Sequence, residues 1–142
     1  GALWNARDYL DDECVLVWGD DYHPINYRRL LKAHSEHGLP ITMTVIEGHD
    51  TFNLHHQNGL VVEYSKVDQK ATYNGYEAGT SIVRKSVVHD IGKSGVWSWE
   101  ETVYPAYSGR IHAYIDETPF WDMGTPERLS KLEEYFQSRR TR

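Results

Sequence analysis

The sequence predicts an α/β fold: a mixed sheet with helices against it, formed as a single domain over residues 1–142. Three observations carry that expectation. An apolar run, Val15-Leu16-Val17-Trp18, ends in Gly19-Asp20-Asp21, and an amphipathic segment then leads into a second apolar run at residues 41–46. Further short apolar runs alternate with helical patterns toward the end of the chain. The composition, 39% hydrophobic and 25% charged over 142 residues, is that of a globular protein with a real core.

Taken in order, residues 14–18 read as a strand covered on both faces, because the apolar run is continuous rather than alternating. Residues 26–37 read as a helix: Asn26 caps it, Tyr27, Leu30, Leu31 and His34 share a face, and Gly38 ends it. Residues 41–46 alternate Ile, Met and Val with threonine and form the next strand, giving a strand–helix–strand unit with a right-handed crossover. Residues 60–64 and 78–83 are further strands, separated by a polar stretch with an Asn74-Gly75 turn. Ser98 and Glu101 form a capping-box pattern that starts a helix through Val103 and Tyr107, with Pro105 limiting its length. Residues 110–115 return as a strand. Thr125 and Pro126 open a last helix with Leu129, Leu132 and Phe136 as its apolar stripe and Glu127, Lys131 and Glu134 on its wet face.

Composition excludes several classes. A net charge of −6 argues against nucleic acid as a partner, since phosphate backbones need a basic face. Three arginines in the last four positions read as a solvated tail. No stretch reaches the apolar length of a membrane span, and no signal-peptide pattern is present, so a cytoplasmic protein is expected. Cys14 is the single cysteine and reads as a small buried hydrophobe. His34 and His37 on one helix, with the adjacent His55 and His56, raise a zinc site. No cysteine or suitably spaced histidine joins them, so surface histidines are expected. Trp97 and Trp99 flank Ser98 and are expected to lie one buried and one exposed, while the 10 tyrosines pack the sheet.

Two aspartates about a hundred residues apart point to chemistry. Asp20 follows a strand, at the carboxyl edge where open α/β sheets collect ligands. Asp122 lies just before a helix N-terminus, where anions are favoured. Meeting at one crevice, they would hold a divalent metal against a phosphate.

The order of short motifs resembles the sugar-1-phosphate nucleotidylyltransferases. The residues that carry the likeness are Gly1-Ala2-Leu3, Val15-Leu16-Val17-Trp18-Gly19-Asp20, Ile41-Thr42-Met43-Thr44-Val45, Tyr64-Ser65-Lys66, Tyr76-Glu77-Ala78-Gly79, Gly109-Arg110-Ile111-His112-Ala113-Tyr114 and Trp121-Asp122-Met123-Gly124-Thr125-Pro126-Glu127. The Tyr-x-Lys stretch is most similar to the mannose- and heptose-phosphate guanylyltransferase branch. The resemblance implies a Rossmann-like mixed sheet flanked by helices, a truncated nucleotide-diphospho-sugar transferase fold. It implies Asp20 and Asp122 as ligands of a weakly held Mg2+, Lys66 at the sugar phosphate, and Glu77 and Gly79 in the stretch that holds the sugar of a sugar-1-phosphate. The family's opening strand and Gly-rich, basic triphosphate loop have no counterpart in these 142 residues, where Gly75, Gly79, Gly92, Gly95 and Gly109 are scattered singly. The expectation is therefore a substrate and metal half, inactive alone, whose unpartnered strand edge draws it into a homodimer.

Each residue also has a plainer reading: Asp20 as a turn residue, Asp122 as a helix-dipole partner, Lys66 as a solvated lysine and Glu77 as half of a cross-strand pair. Three function classes stay open: the substrate half of a nucleotidylyltransferase, a non-catalytic sugar-phosphate-binding or assembly module of that fold, and a metal-dependent glycosyltransferase-like domain.

Overall fold

The structure, a computed structural model, describes residues 1–92 and 94–140. A short helix α1 (Ala2–Ala6) and a 3-10 turn (Arg7–Tyr9) lead into β1 (Glu13–Val17), β2 (Asp21–Tyr22), α2 (Tyr27–His37) and β3 (Ile41–Ile46). Then follow β4 (Leu54–Gln57), β5 (Leu60–Tyr64), β6 (Tyr76–Arg84), α3 (Lys85–Ile91), α4 (Trp99–Ala106), β7 (Ile111–Ile115), β8 (Trp121–Asp122) and α5 (Pro126–Arg140). Six strands form one sheet in the order β1-β6-β3-β7-β5-β4, and β2 and β8 form a separate two-stranded ribbon. Among the described residues, only β3 and β7 pair in parallel; the other pairings in the large sheet are antiparallel. The expected mixed sheet is therefore present, but β1 and β3 run parallel without touching, because β6 is inserted between them.

The two faces of the sheet bury different helices. Val87, Val88, Val103 and Tyr104 of α3 and α4 pack with Ile41, Met43, Val45 and Val83. Leu30 of α2 packs on the other face with Ile25 and Ile82. The caps form where their residue types require them. Asn26 accepts from the Arg29 N–H at 3.2 Å, Ser98 from the Glu101 N–H at 3.3 Å and Thr125 from the Arg128 N–H at 3.3 Å. Gly38 takes the left-handed φ of 63° that closes α2.

Several expectations are corrected. The run at residues 14–18 is not covered on both faces: β1 is the sheet edge, with Val15 and Val17 42% and 48% exposed, while Cys14 and Leu16 turn inward. An apolar run records a preference for cover on both faces, whereas the described residues cover only one. The strand buried throughout is β3. His34 is a core residue rather than a surface one, its Nδ1 2.7 Å from Thr42 Oγ1 and its Nε2 3.4 Å from a Glu13 carboxylate oxygen, and burial lowers its pKa. Tyr27 and Leu31 are exposed although they share its helix. Of the α5 stripe only Leu132 is buried, while Phe136 rests edge-on against Tyr22 with ring centroids 5.2 Å apart. Cys14 is half-buried, 3.6 Å from the Val83 carbonyl, and burial pushes its thiol up. Trp99 is buried and Trp97 half-buried, and the two rings lie on one side, stacked at 6.4 Å. Of the terminal arginines, Arg139 and Arg140 close α5 and Arg142 lies outside the described residues.

The elements absent from the sequence reading are α1 with its 3-10 turn, β4, α3 and the ribbon. Arg84 gives α3 no side-chain cap, and the Val87-Val88 pair is β-branched, so packing rather than propensity makes that helix. No helix among the described residues is long and apolar enough to cross a membrane.

Candidate functional site

The site is built where β1 runs out of the sheet. Trp18 extends the β1–β6 pairing by donating its N–H to the Gly79 carbonyl at 2.9 Å. Its indole Nε1 donates to the Glu77 carboxyl, 3.2 Å from each oxygen. The chain then turns at Gly19-Asp20 into β2, which pairs with β8 so that Asp21 faces Asp122 across the ribbon and Tyr22 faces Trp121. A further bond from the Met123 N–H to the Asp20 carbonyl, 2.7 Å long, extends this pairing. Two segments distant in sequence are thereby clamped into one turn-like crevice.

Asp20 and Asp122 converge on Gly124. An Asp122 Oδ1 lies 3.0 Å and an Asp20 Oδ2 3.3 Å from the position a Cβ on Gly124 would occupy. The Gly124 N–H donates to Asp122 Oδ1 at 2.7 Å, and the Arg128 guanidinium holds Asp122 Oδ2 at 2.5 Å. Both aspartates expected to share a site are thus brought together, with an arginine that sequence reasoning missed.

Beneath them sit two carboxyls with raised pKa values. Asp21 is pushed up to about 7, first by burial and then by the Asp20, Asp122 and Glu100 carboxylates, with Arg128 opposing. Glu77 is pushed up to about 8, first by burial and then by Glu100, against the lowering effect of the Trp18 bond; Asp21 raises it further and the Gly79 N–H lowers it. Gly79 is required twice over. Its φ is 71°, and a Cβ there would fall 2.1 Å from Asp21 Oδ2. The reading of Glu77 as one of a cross-strand charge pair is replaced by this buried position, where its partners are the Trp18 indole and the Gly79 N–H at 3.1 Å.

Lys66 follows β5 and is exposed. Its ammonium pairs with Glu100 at 2.6 Å, which raises its pKa, and Glu100 also accepts from the Tyr64 hydroxyl at 3.3 Å. Because Glu100 acts on Asp21 and Glu77 as well, Lys66 is joined to the aspartate crevice through one carboxylate. Glu100 is the second residue the sequence reading missed. It sits in the first turn of α4, where its only visible signal was the dipole preference of a helix start.

A recess of about 440 Å³ is lined by Asp122 with His49, Tyr76, Trp121, Arg128 and Lys131 among others. The His49 ring lies flat on Tyr76, centroids 4.0 Å apart. Tyr76 is held up to about 12 by burial and then by Asp122, Glu77 and Asp21, with Arg128 opposing.

Among the described residues, no group of three or more His, Cys, Asp or Glu side chains is arranged to hold a metal ion. Two carboxylates at one crevice do match the way magnesium is held, by one or two carboxylates with water and substrate phosphate completing the shell.

No family model matches the chain, and no curated protein matches it. Solved structures do. HddC from Yersinia pseudotuberculosis superposes with a TM-score of 0.77 at 23% identity, over 95% of this chain and 60% of that one. The inositol-1-phosphate CTP transferase from T. maritima superposes with a TM-score of 0.73 at 19% identity, over 94% of this chain and 58% of that one. The chain therefore has the α/β fold of nucleotide-diphospho-sugar transferases and spans about 60% of the length of the solved proteins it matches.

Proposed function

We propose that this chain is the sugar-phosphate and metal half of a sugar-1-phosphate nucleotidylyltransferase, unable to catalyse the reaction by itself. The observation that carries the reading is the convergence of Asp20 and Asp122 on Gly124. Asp20 and Asp122 would hold Mg2+, which when bound supplies charge neutralisation at phosphate oxygens. The chain's own residues do the rest. The ribbon fixes the two aspartates relative to each other. Glu77, neutral below its pKa of about 8, ties Trp18 and the Gly79 N–H together without adding a further negative charge beneath the phosphates. Lys66 exchanges Glu100 for the sugar phosphate, and Gly79 keeps backbone close to the carboxyls, beside the sugar. The remaining work, positioning a triphosphate, needs a cradle of backbone N–H groups and basic residues for which these 142 residues hold no glycine-rich loop.

A guanylyltransferase of the mannose- or heptose-phosphate kind is the branch favoured by Tyr64-Ser65-Lys66, and HddC has been crystallised with GMP-PN. The same reading carries a cytoplasmic location and no nucleic-acid partner. It also carries a homodimer, since among the described residues β1 leaves an unpaired edge with Val15 and Val17 exposed beside it. A second reading, a sugar-phosphate-binding module without catalysis, is favoured by Arg128, whose charge already neutralises Asp122.

Titration with Mn2+, followed by NMR line broadening, tests the metal site. Broadening is expected at residues 19–21 and 121–124 together and is lost in Asp20→Asn. Broadening that spares both segments overturns the shared site.

A further inference from the structure

We infer that Arg128 is a resident counter-cation that a divalent metal must displace from Asp122, and that the released guanidinium, with Lys131, receives the phosphate of a phosphate monoester. The inference rests on the reading of Asp20 and Asp122 as metal ligands.

Both oxygens of Asp122 are engaged: Oδ1 by the Gly124 N–H at 2.7 Å and Oδ2 by Arg128 at 2.5 Å. A metal at Asp122 therefore competes with the guanidinium. Arg128 is free to give way, because its own side chain is 54% exposed, while that of Asp122 is 25% exposed. A pair with one solvated member contributes little to folding. Its position balances charge in a crevice that gathers Asp20, Asp21 and Asp122. The Thr125 cap on the Arg128 N–H sets the first turn of α5, so the side chain reaches back to Asp122 from a fixed point.

What Arg128 does once released follows from its surroundings. Arg128 and Lys131 are three apart on α5 and line the same recess as Tyr76, His49 and Asp122. Its volume of about 440 Å³ accommodates a phosphate group with part of what it esterifies. The guanidinium is a planar fork that matches phosphate oxygens better than it matches a single carboxylate oxygen, and Lys131 adds a point charge. Metal and phosphate thus enter together. The metal frees Arg128, the phosphate keeps it off Asp122, and each ligand raises the affinity of the other by the same factor.

Binding of Mn2+ by the full chain, read from the free-ion EPR signal with and without methyl phosphate, tests this in wild type, Arg128→Gln and Asp20→Asn. Without phosphate, Arg128→Gln is expected to bind Mn2+ about 1.5- to 5-fold more tightly than wild type, the span an exposed ion pair supplies. Methyl phosphate is expected to tighten Mn2+ binding in wild type and to leave Arg128→Gln unchanged. Equal Mn2+ affinity in wild type and Arg128→Gln, both weakened by Asp20→Asn, would overturn the displacement while the metal site stands. Equal tightening by methyl phosphate in both proteins would overturn the role of Arg128 as phosphate receptor. Absence of Asp20-dependent Mn2+ binding in every protein and condition would remove the metal reading and this inference with it.

Discussion

Replacing Glu77 by glutamine should remove a pH-dependent cost that the folded chain carries above the ordinary carboxylate range. Glu77 is 5% exposed, and its carboxyl is raised from 4.5 to about 8, chiefly by burial and then by Glu100. A carboxyl raised on folding gives its full stability below its unfolded pKa, and that stability is lost as pH rises through the folded value. From the shift at Glu77, the loss is about 3 kcal/mol between pH 4.5 and 7, and about 4 to 5 kcal/mol well above pH 8. Asp21 adds a loss of the same sign between 3.8 and about 7. His23, His34 and His112, each lowered first by burial, act oppositely and remove stability as pH falls below 6.5. The difference between wild type and Glu77→Gln therefore cancels the histidine contributions and reports Glu77 together with its coupling to Asp21. Glutamine keeps an acceptor for the Trp18 indole and the Gly79 N–H. Urea unfolding in EDTA near pH 5 and near pH 8.5 is the assay. The variant is expected to match or fall below wild type at the acid end, and to exceed it by about 3 kcal/mol at the alkaline end. A difference that does not change with pH would refute the reasoning.

Gly79→Ala must adopt a φ of 71° and place a Cβ against Asp21, so it should lose more than about 2 kcal/mol of stability, and an unchanged melting temperature would contradict the close approach. The purified chain should release no pyrophosphate with any sugar-1-phosphate and nucleoside triphosphate, and steady release that vanishes in Asp20→Ala would overturn that expectation. Light scattering on a sizing column should find a dimer that Val15→Lys with Val17→Lys shifts to monomer, since charge on an edge strand blocks pairing; a wild-type monomer across a wide concentration range would show the edge to be silent.

The histidines and the carboxyls mark where local reasoning reaches its limit. His34 repeats the helical spacing of Leu30, which is legible, but its burial depends on Thr42 in the next strand and Glu13 at the sheet edge. Glu77 follows Tyr76 at the start of a strand and looks like any exposed acid until Trp18, fifty-nine positions earlier, is seen to donate to it. Arg128 and Glu100 carry no motif at all. Each takes its place in the site only through the group it touches, Asp122 and Lys66.

The amino-acid order alone determined the caps at Asn26, Ser98 and Thr125, the stop at Gly38 and the alternation of strands and helices, because these depend on backbone bonds within a few residues. It also marked Asp20 and Asp122 as the pair to watch. Tertiary structure decided which strand is the edge, why β6 separates β1 from β3, and that two-residue strands clamp Asp20 and Asp122 to one crevice. Strand order, burial and carboxyl protonation depend on contacts between residues far apart in the chain, and no local pattern encodes the free energy of those contacts.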